Sequence, residues 1–353
     1  MCCPLSGRPI KKLLYCNRME RRYISADSLK NWLDALNEGG RHVYAPVEQG
    51  GKADFRRIRS AGEISGGHVQ TIQSAKSVVF PRTEKLFSYD RTKSDVTLRD
   101  YDPEALAETV VFGLHPCDTA AFVPMSNTFN WGTADKPFNE RTRRTTLVAV
   151  ACTQCEEYCF CTSVGGGPGD TAGSDILLTP VDGGYLAEIV TEKGAALAGI
   201  SGEAFGPAPD VDKKQYLANV PVRFDVGRLS AKLAGMFENE VWQQQSERCL
   251  GCGACAFVCP ACACFDIREY AGLSSGHRLR CWDSCGFPAF TLHASGHNPR
   301  GTQGQRWRQR LMHKFAYMPE RLSTRGCTGC GRCSRACPVD MNMADHLTSI
   351  AAI

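Results

Sequence analysis

Two cysteine runs near the C-terminus constrain this chain more than any other feature. Cys249, Cys252, Cys255 and Cys259 precede Pro260, and Cys327, Cys330, Cys333 and Cys337 precede Pro338. Each run reads C-x2-C-x2-C-x3-C-P, a spacing in which three thiolates converge on one [4Fe–4S] cluster and the fourth reaches across to a second. The proline turns the chain away after the fourth ligand and offers no amide donor. The expected ligand sets are therefore Cys249, Cys252 and Cys255 with Cys337, and Cys327, Cys330 and Cys333 with Cys259. Zinc is the competing reading, but zinc sites typically pair two short C-x2–4-C elements across a longer interval.

Twenty cysteines in 353 residues would suit a disulfide scaffold only if they punctuated a small chain. Here they cluster at metal-ligand spacing, which implies a reducing compartment. The opening MCCPLSGRPIKKLLYCNR is basic but lacks the apolar core of a secretory signal, and no later stretch approaches the apolar length of a membrane span. The expectation is a cytoplasmic protein with no direct membrane insertion. A net charge of +4 on so long a chain is too small to imply nucleic acid by itself.

Residues 27–38 carry Leu29, Trp32, Leu33 and Leu36 at helical spacing behind an Asp or Ser cap, and Gly39-Gly40 end the helix. HVYAPV and SVVF read as short strands, and FPRTEKLF (80–87) as a turn leading into a helix. Chemistry first shows at TVVFGLHPCDTAAF (109–122), where an apolar β-rich run is broken by His115-Pro116 and leaves Cys117 and Asp118 at a strand's end. A second such run, TTLVAVAC (145–152), delivers Cys152, and Cys155, Cys159 and Cys161 follow. Two strands that each end in cysteine suggest neighbours in one sheet presenting thiols at the same edge. Gly165, Gly166, Gly167 and Gly169 would let backbone approach a cluster closely. A third [4Fe–4S] cluster is the favoured reading, beside a zinc site or a set of unmetallated thiols. GPGDTA (167–172) is a poor nucleotide fingerprint, because it follows a cysteine loop and not a strand.

SDILLTPVDGGYLAEIV reads as a hairpin around Asp-Gly-Gly, followed by a short Ala-rich helix. A helix of about fifteen residues within 225–249, with Leu229, Leu233, Met236, Phe237 and Val241 on its apolar face, leads into the first cysteine run. The fold expected is α+β: an N-terminal mixed α/β domain over 1–230 with an iron–sulfur site, then an α-helical dicluster ferredoxin domain over 231–353. The 67 residues from Pro260 to Gly326 make an insert far longer than in a small two-cluster ferredoxin, and favour a helical dicluster domain of the kind found in succinate dehydrogenase iron–sulfur subunits. The insert holds Cys262, Cys264, Cys281 and Cys285, which suit either a further site or thiols lining the pocket of a neighbouring cluster. Arg300, Arg306, Arg308, Arg310 and Lys314 surround Trp307 and read as a solvated helix face, an acidic-partner surface or a nucleic-acid surface, with a redox partner favoured over nucleic acid.

Several stretches together carry a family resemblance. GLHPCDTAAF, Arg143-Arg144 before the strand ending in Cys152, CFCTSVGGGPGDTAGSDILLT, CPACACFD, WDSC, HASGHNPR, RWRQRLMHKF and CTGCGRCSRACPVDM resemble the iron–sulfur proteins that group the A component of anaerobic sulfite reductase with the beta subunit of sulfhydrogenase (soluble NiFe hydrogenase). The resemblance runs from about Phe80 to the C-terminus. It implies an electron conduit without catalysis of its own, placed between a flavoprotein subunit that binds FAD and NAD(P)H and a catalytic hydrogenase or reductase subunit. It also implies that Cys117, Cys152, Cys159 and Cys161 are the recurring thiols of the first domain, with Cys155 an extra. Cys2, Cys3 and Cys16 match no pattern. The alternative function is an iron–sulfur sensor or nucleic-acid-binding regulator that uses the basic stretch 300–314.

Overall fold

The computed structural model describes residues 19–353, so Cys2, Cys3 and Cys16 lie outside the described residues. In chain order the strands are β1 (Glu20–Ser25), β2 (His42–Gln49), β3 (Lys52–Arg57), β4 (Thr83–Arg91), β5 (Val96–Arg99), β6 (Thr109–Leu114), β7 (Thr145–Val150), β8 (Ile176–Val181), β9 (Gly184–Ile189), β10 (Gly206–Pro207), β11 (Phe265–Ala271) and β12 (Ser275–Trp282). Eight of them form one sheet in the order β10-β1-β9-β8-β7-β6-β2-β3. At its centre β2, β6, β7 and β8 run parallel. Parallel central strands are covered on both faces, which explains why TVVFGL and TTLVAV are nearly continuous apolar runs. The helix Ala26–Glu38, capped by the Ser25 side chain and not by Asp27 or Ser28, lays Leu29, Trp32, Leu33 and Leu36 against Val43, Val110, Val148 and Ile176.

The second sheet, β11-β12-β4-β5, is antiparallel and combines a hairpin from the cysteine-rich insert with strands from residues 83–99. FPRTEKLF is therefore mostly strand and not the expected helix. What fixes it is a buried ion network: Glu84 on β4 takes Arg280 of β12 through Nε at 2.9 Å and also pairs with Arg141, while Asp135 holds the other side of Arg280. SVVF (77–80) is not a strand: a 3-10 turn over Ala75–Val78 takes in its first two residues, and Lys76 is drawn inward to the carbonyls of Ala256 and Cys262 at 2.9 and 3.0 Å.

The helix expected within 225–249 is two short ones, Val226–Leu233 and Val241–Ser246. Gly235 ends the first, Asn239 caps Val241 N–H at 2.9 Å, and Trp242 Nε1 donates to the Met236 carbonyl at 2.6 Å. Leu229, Leu233, Met236 and Val241 are buried as expected, whereas Phe237 is exposed beneath the Arg308 guanidinium. Beyond residue 231 the regular structure consists of short helices and the β11–β12 hairpin, joined by long stretches without helix or strand. No helix among the described residues is long and apolar enough to cross a membrane.

Candidate metal centres

Because β6 and β7 are parallel and adjacent, their carboxyl ends open at one edge of the sheet, where ligands of open α/β sheets bind. Leu114 is followed by His115-Pro116, which starts a helical turn over Pro116–Ala120 that carries Cys117. Cys152 leaves β7 with its N–H donated to the Pro168 carbonyl at 2.9 Å. A single pocket is lined by Cys117, Cys152, Cys155, Cys159 and Cys161 and, from the second cysteine run, Cys330. His115 Nδ1 stands 3.4 Å from Cys152 Sγ, and its buried Nε2 has no partner among the described residues. Cys155 is exposed and donates to the Asn219 carbonyl at 3.4 Å. Gly165, Gly166 and Gly167 line an adjoining cleft of about 490 Å³ with Cys117, Cys161, Arg325 and Cys327.

The two C-terminal runs share one local design. Gly251 and Gly253 in the first, like Gly329 and Gly331 in the second, sit between the cysteines with φ of 66°, 74°, 68° and 74°, a left-handed region costly for other residues. In the second run contact adds to this: a Cβ on Gly329 would lie 2.5 Å from Cys161 N, and one on Gly331 2.5 Å from the Tyr158 carbonyl oxygen. Phe160 N–H donates to the Gly329 carbonyl at 2.9 Å. The second run is thus pressed against the Cys159–Cys161 loop, and the first-domain thiols are not held independently of the C-terminal ones.

Cys249, Cys252, Cys255 and Cys337 line a second pocket, together with Cys333. Gln303 Nε2 donates to Cys249 Sγ at 3.0 Å. Cys259 is absent from this pocket's lining. It is buried beside Cys262, with Cys330 near, and takes the Lys314 ammonium at 3.4 Å. Burial pushes the thiols up: Cys255 and Cys330 to about 12, Cys161 to about 11, and Cys117 and Cys152 strongly upward. As bare thiols they hold their protons, and a metal that binds them must displace those protons.

The basic stretch is the largest departure from the sequence reading. Arg306, Arg310 and Lys314, spaced four apart along one helix face, are turned into the protein and not toward solvent. Arg310 donates to the Cys255 carbonyl at 3.0 Å, reaches Cys262 Sγ at 4.0 Å, and keeps a buried Nε without a partner. Lys76, stacked 4.2 Å over Trp282, completes the set. Among the described residues none of Lys76, Arg310 and Lys314 has a carboxylate partner, in contrast to the buried pair Arg332–Asp118. Their surroundings are thiols and carbonyls, and burying three such cations is costly unless anions compensate them. Thiolate-ligated iron–sulfur clusters are anions of that kind, so the donor set and its cations fit [4Fe–4S] groups. Among the described residues no group of three or more His, Cys, Asp or Glu closes around a single metal ion. The fit rests on the shared pockets and the charge balance, not on closed coordination.

Sequence reasoning missed Lys76 and the inward role of Arg310 and Lys314. The signal was present in the alternation of Arg306, Arg310 and Lys314 with apolar Trp307, Leu311 and Phe315 on one helix. It missed Asp118–Arg332 too, since a contact across 214 positions leaves no local pattern. Of the insert cysteines, Cys264 and Cys285 face each other, Cys262 lies by Cys259, and Cys281 sits on β12 opposite Asp266 and Thr83.

The chain has relatives among known proteins. Residues 248–341 match the family model of the 4Fe-4S dicluster domain. Over 333 residues, 90% of this chain and 95% of the relative, it is 30% identical to sulfhydrogenase 2 subunit beta of Pyrococcus furiosus. No solved structure matches. With identity of that degree along nearly the whole of both chains, and the dicluster domain where the two cysteine runs lie, the chain belongs to the sulfhydrogenase beta-subunit family.

Proposed function

We propose that this chain is the iron–sulfur electron-transfer subunit of a cytoplasmic multisubunit oxidoreductase, relaying electrons between a flavoprotein partner that uses NAD(P)H and a catalytic partner of hydrogenase or sulfite/sulfur reductase type. The observation that carries this reading is the adjacency of three thiol sets. Cys330 borders the pocket of Cys117, Cys152, Cys159 and Cys161, while Cys333 borders the pocket of Cys249, Cys252, Cys255 and Cys337. In this reading the set Cys327, Cys330, Cys333 and Cys259 lies between the other two. Three [4Fe–4S] clusters held this way would each pass one electron at a time. The protein's own residues supply the rest: Arg310, Lys314 and Lys76 balance charge, Gln303 and Lys314 donate to sulfur, and the left-handed glycines admit close backbone approach. The inward turn of Arg310 and Lys314 removes them from any surface that a nucleic acid would need.

Two experiments test this. Cys117→Ser and Cys159→Ser are expected to lower NAD(P)H-linked activity of the anaerobically purified complex at least tenfold, an added barrier of about 1.4 kcal/mol, with substrate affinity little changed. Full linked activity and full iron content in both variants would make those cysteines structural thiols. Cys259→Ser is expected to alter mainly the paramagnetic signal of the cluster held by Cys327, Cys330 and Cys333. A change confined to the cluster of Cys249, Cys252 and Cys255 would reject the crossed ligand sets.

A further inference from the structure

Cys264 and Cys285 have no place among the twelve thiols assigned above. They close the base of the β11–β12 hairpin: Phe265 pairs with Trp282, Asp283 N–H donates to the Cys264 carbonyl at 3.0 Å, and Cys285 follows two residues on. Both are half-buried, and their sulfhydryls face one another. Arg310, whose buried Nε has no partner among the described residues, acts on this pair while donating to the Cys255 carbonyl at 3.0 Å. Lys76, 3.0 Å from the Cys262 carbonyl, acts on Cys264 and Cys262 as well. Ser284, fully buried beside Cys285, accepts from Gly286 N–H at 3.1 Å and holds the turn that presents the thiol.

We propose that Cys264 and Cys285 form a redox-active dithiol, a two-electron site beside the cluster held through Cys255 that exchanges electrons with the iron–sulfur clusters of this chain. The step rests on the proposed function, because those clusters are the electron partners. Oxidation would form one Sγ–Sγ bond, release both sulfhydryl protons to solvent, and yield two electrons, which two bound [4Fe–4S] clusters would accept one each. Reduction reverses every term. The chemistry needs a thiolate facing a thiol beside cations. Contact with Cys264, aided by Arg310 and Lys314, holds the Cys285 thiol below its ordinary value against the opposing effect of burial. Each cluster holds one exchangeable electron, and the dithiol would store the pair that a two-electron donor or acceptor requires.

The test uses the anaerobic holoprotein, poised oxidised with thionine or reduced with dithionite, alkylated, digested without reductant and weighed by mass spectrometry. A peptide linked through Cys264 and Cys285 is expected in the oxidised sample and absent from the reduced one. Coulometric reduction of Cys285→Ser should consume two electrons fewer per chain than the native protein, at unchanged iron content. Alkylation of both thiols at every potential would overturn the proposal in the native chain alone, whether or not a variant folds. Loss of about four irons in Cys264→Ser would also overturn it, by making the pair metal ligands. Native iron below about eight per chain would instead overturn the cluster reading, and with it the acceptors this step needs.

Discussion

Arg332→Ala is expected to lower the stability of the anaerobic holoprotein by about 3–5 kcal/mol, because it strands a buried carboxylate. Arg332 sits in the second cysteine run and is fully buried, as is Asp118 at the end of β6. Two parallel hydrogen bonds of 2.6 and 2.9 Å join them, and Arg332 also donates to the carbonyl and hydroxyl of Thr71 at 3.0 and 2.9 Å. The pair ties the strand end that carries Cys117 to the loop that carries Cys330. Asp118 pushes the guanidinium's pKa further up against desolvation by burial. Urea unfolding midpoints of the native chain, Arg332→Ala and the double variant Arg332→Met with Asp118→Leu decide the matter. The double variant should lose less than the single one, since it leaves no lone charge behind. A single-variant loss under about 1 kcal/mol, the size of an exposed pair, would contradict the expectation.

Lys314→Met should behave in the opposite way, and that difference exposes what the buried cations are for. Lys314 has thiols and the Gly326 carbonyl around it but, among the described residues, no carboxylate partner. In the metal-free chain, removing it removes an uncompensated charge and is expected to leave stability unchanged or raised. In the holoprotein the same change removes a cation next to Cys259, 3.4 Å from its sulfur, and should lower the reduction potential of the cluster that Cys259 serves. An interaction of about 1–4 kcal/mol at such range corresponds to about 40–170 mV for a one-electron couple. Potentiometric titration followed by paramagnetic resonance reads the shift. Equal destabilisation of the metal-free and loaded chains, with no change in potential, would mean that Lys314 is only a packing residue.

The parts of the fold set by local pattern were legible in the sequence. The period of Leu29, Trp32, Leu33 and Leu36, the apolar runs of β6 and β7, and the Asp-Gly-Gly turn between β8 and β9 each stand where pattern placed them. Segments whose state is decided by distant partners were not. β4 is a strand because Glu84 must meet Arg280, 196 positions away, and 77–80 is no strand because Lys76 beside it is pulled toward Cys262. For the candidate centres, spacing picked out the thiols that share pockets, since ligand geometry imposes a short-range code. The compensating charges carry no such code. Arg310 and Lys314 look like a solvated face until their helix is seen with its basic side inward.

Three thiol sets holding three [4Fe–4S] clusters are the centre of this reading of the molecule. Iron and acid-labile sulfide determined on the anaerobically purified full chain test it most directly. About twelve of each per chain are expected, with about eight as the minimum that the two C-terminal runs alone would give. Iron near four per chain, or stoichiometric zinc in its place, would contradict it.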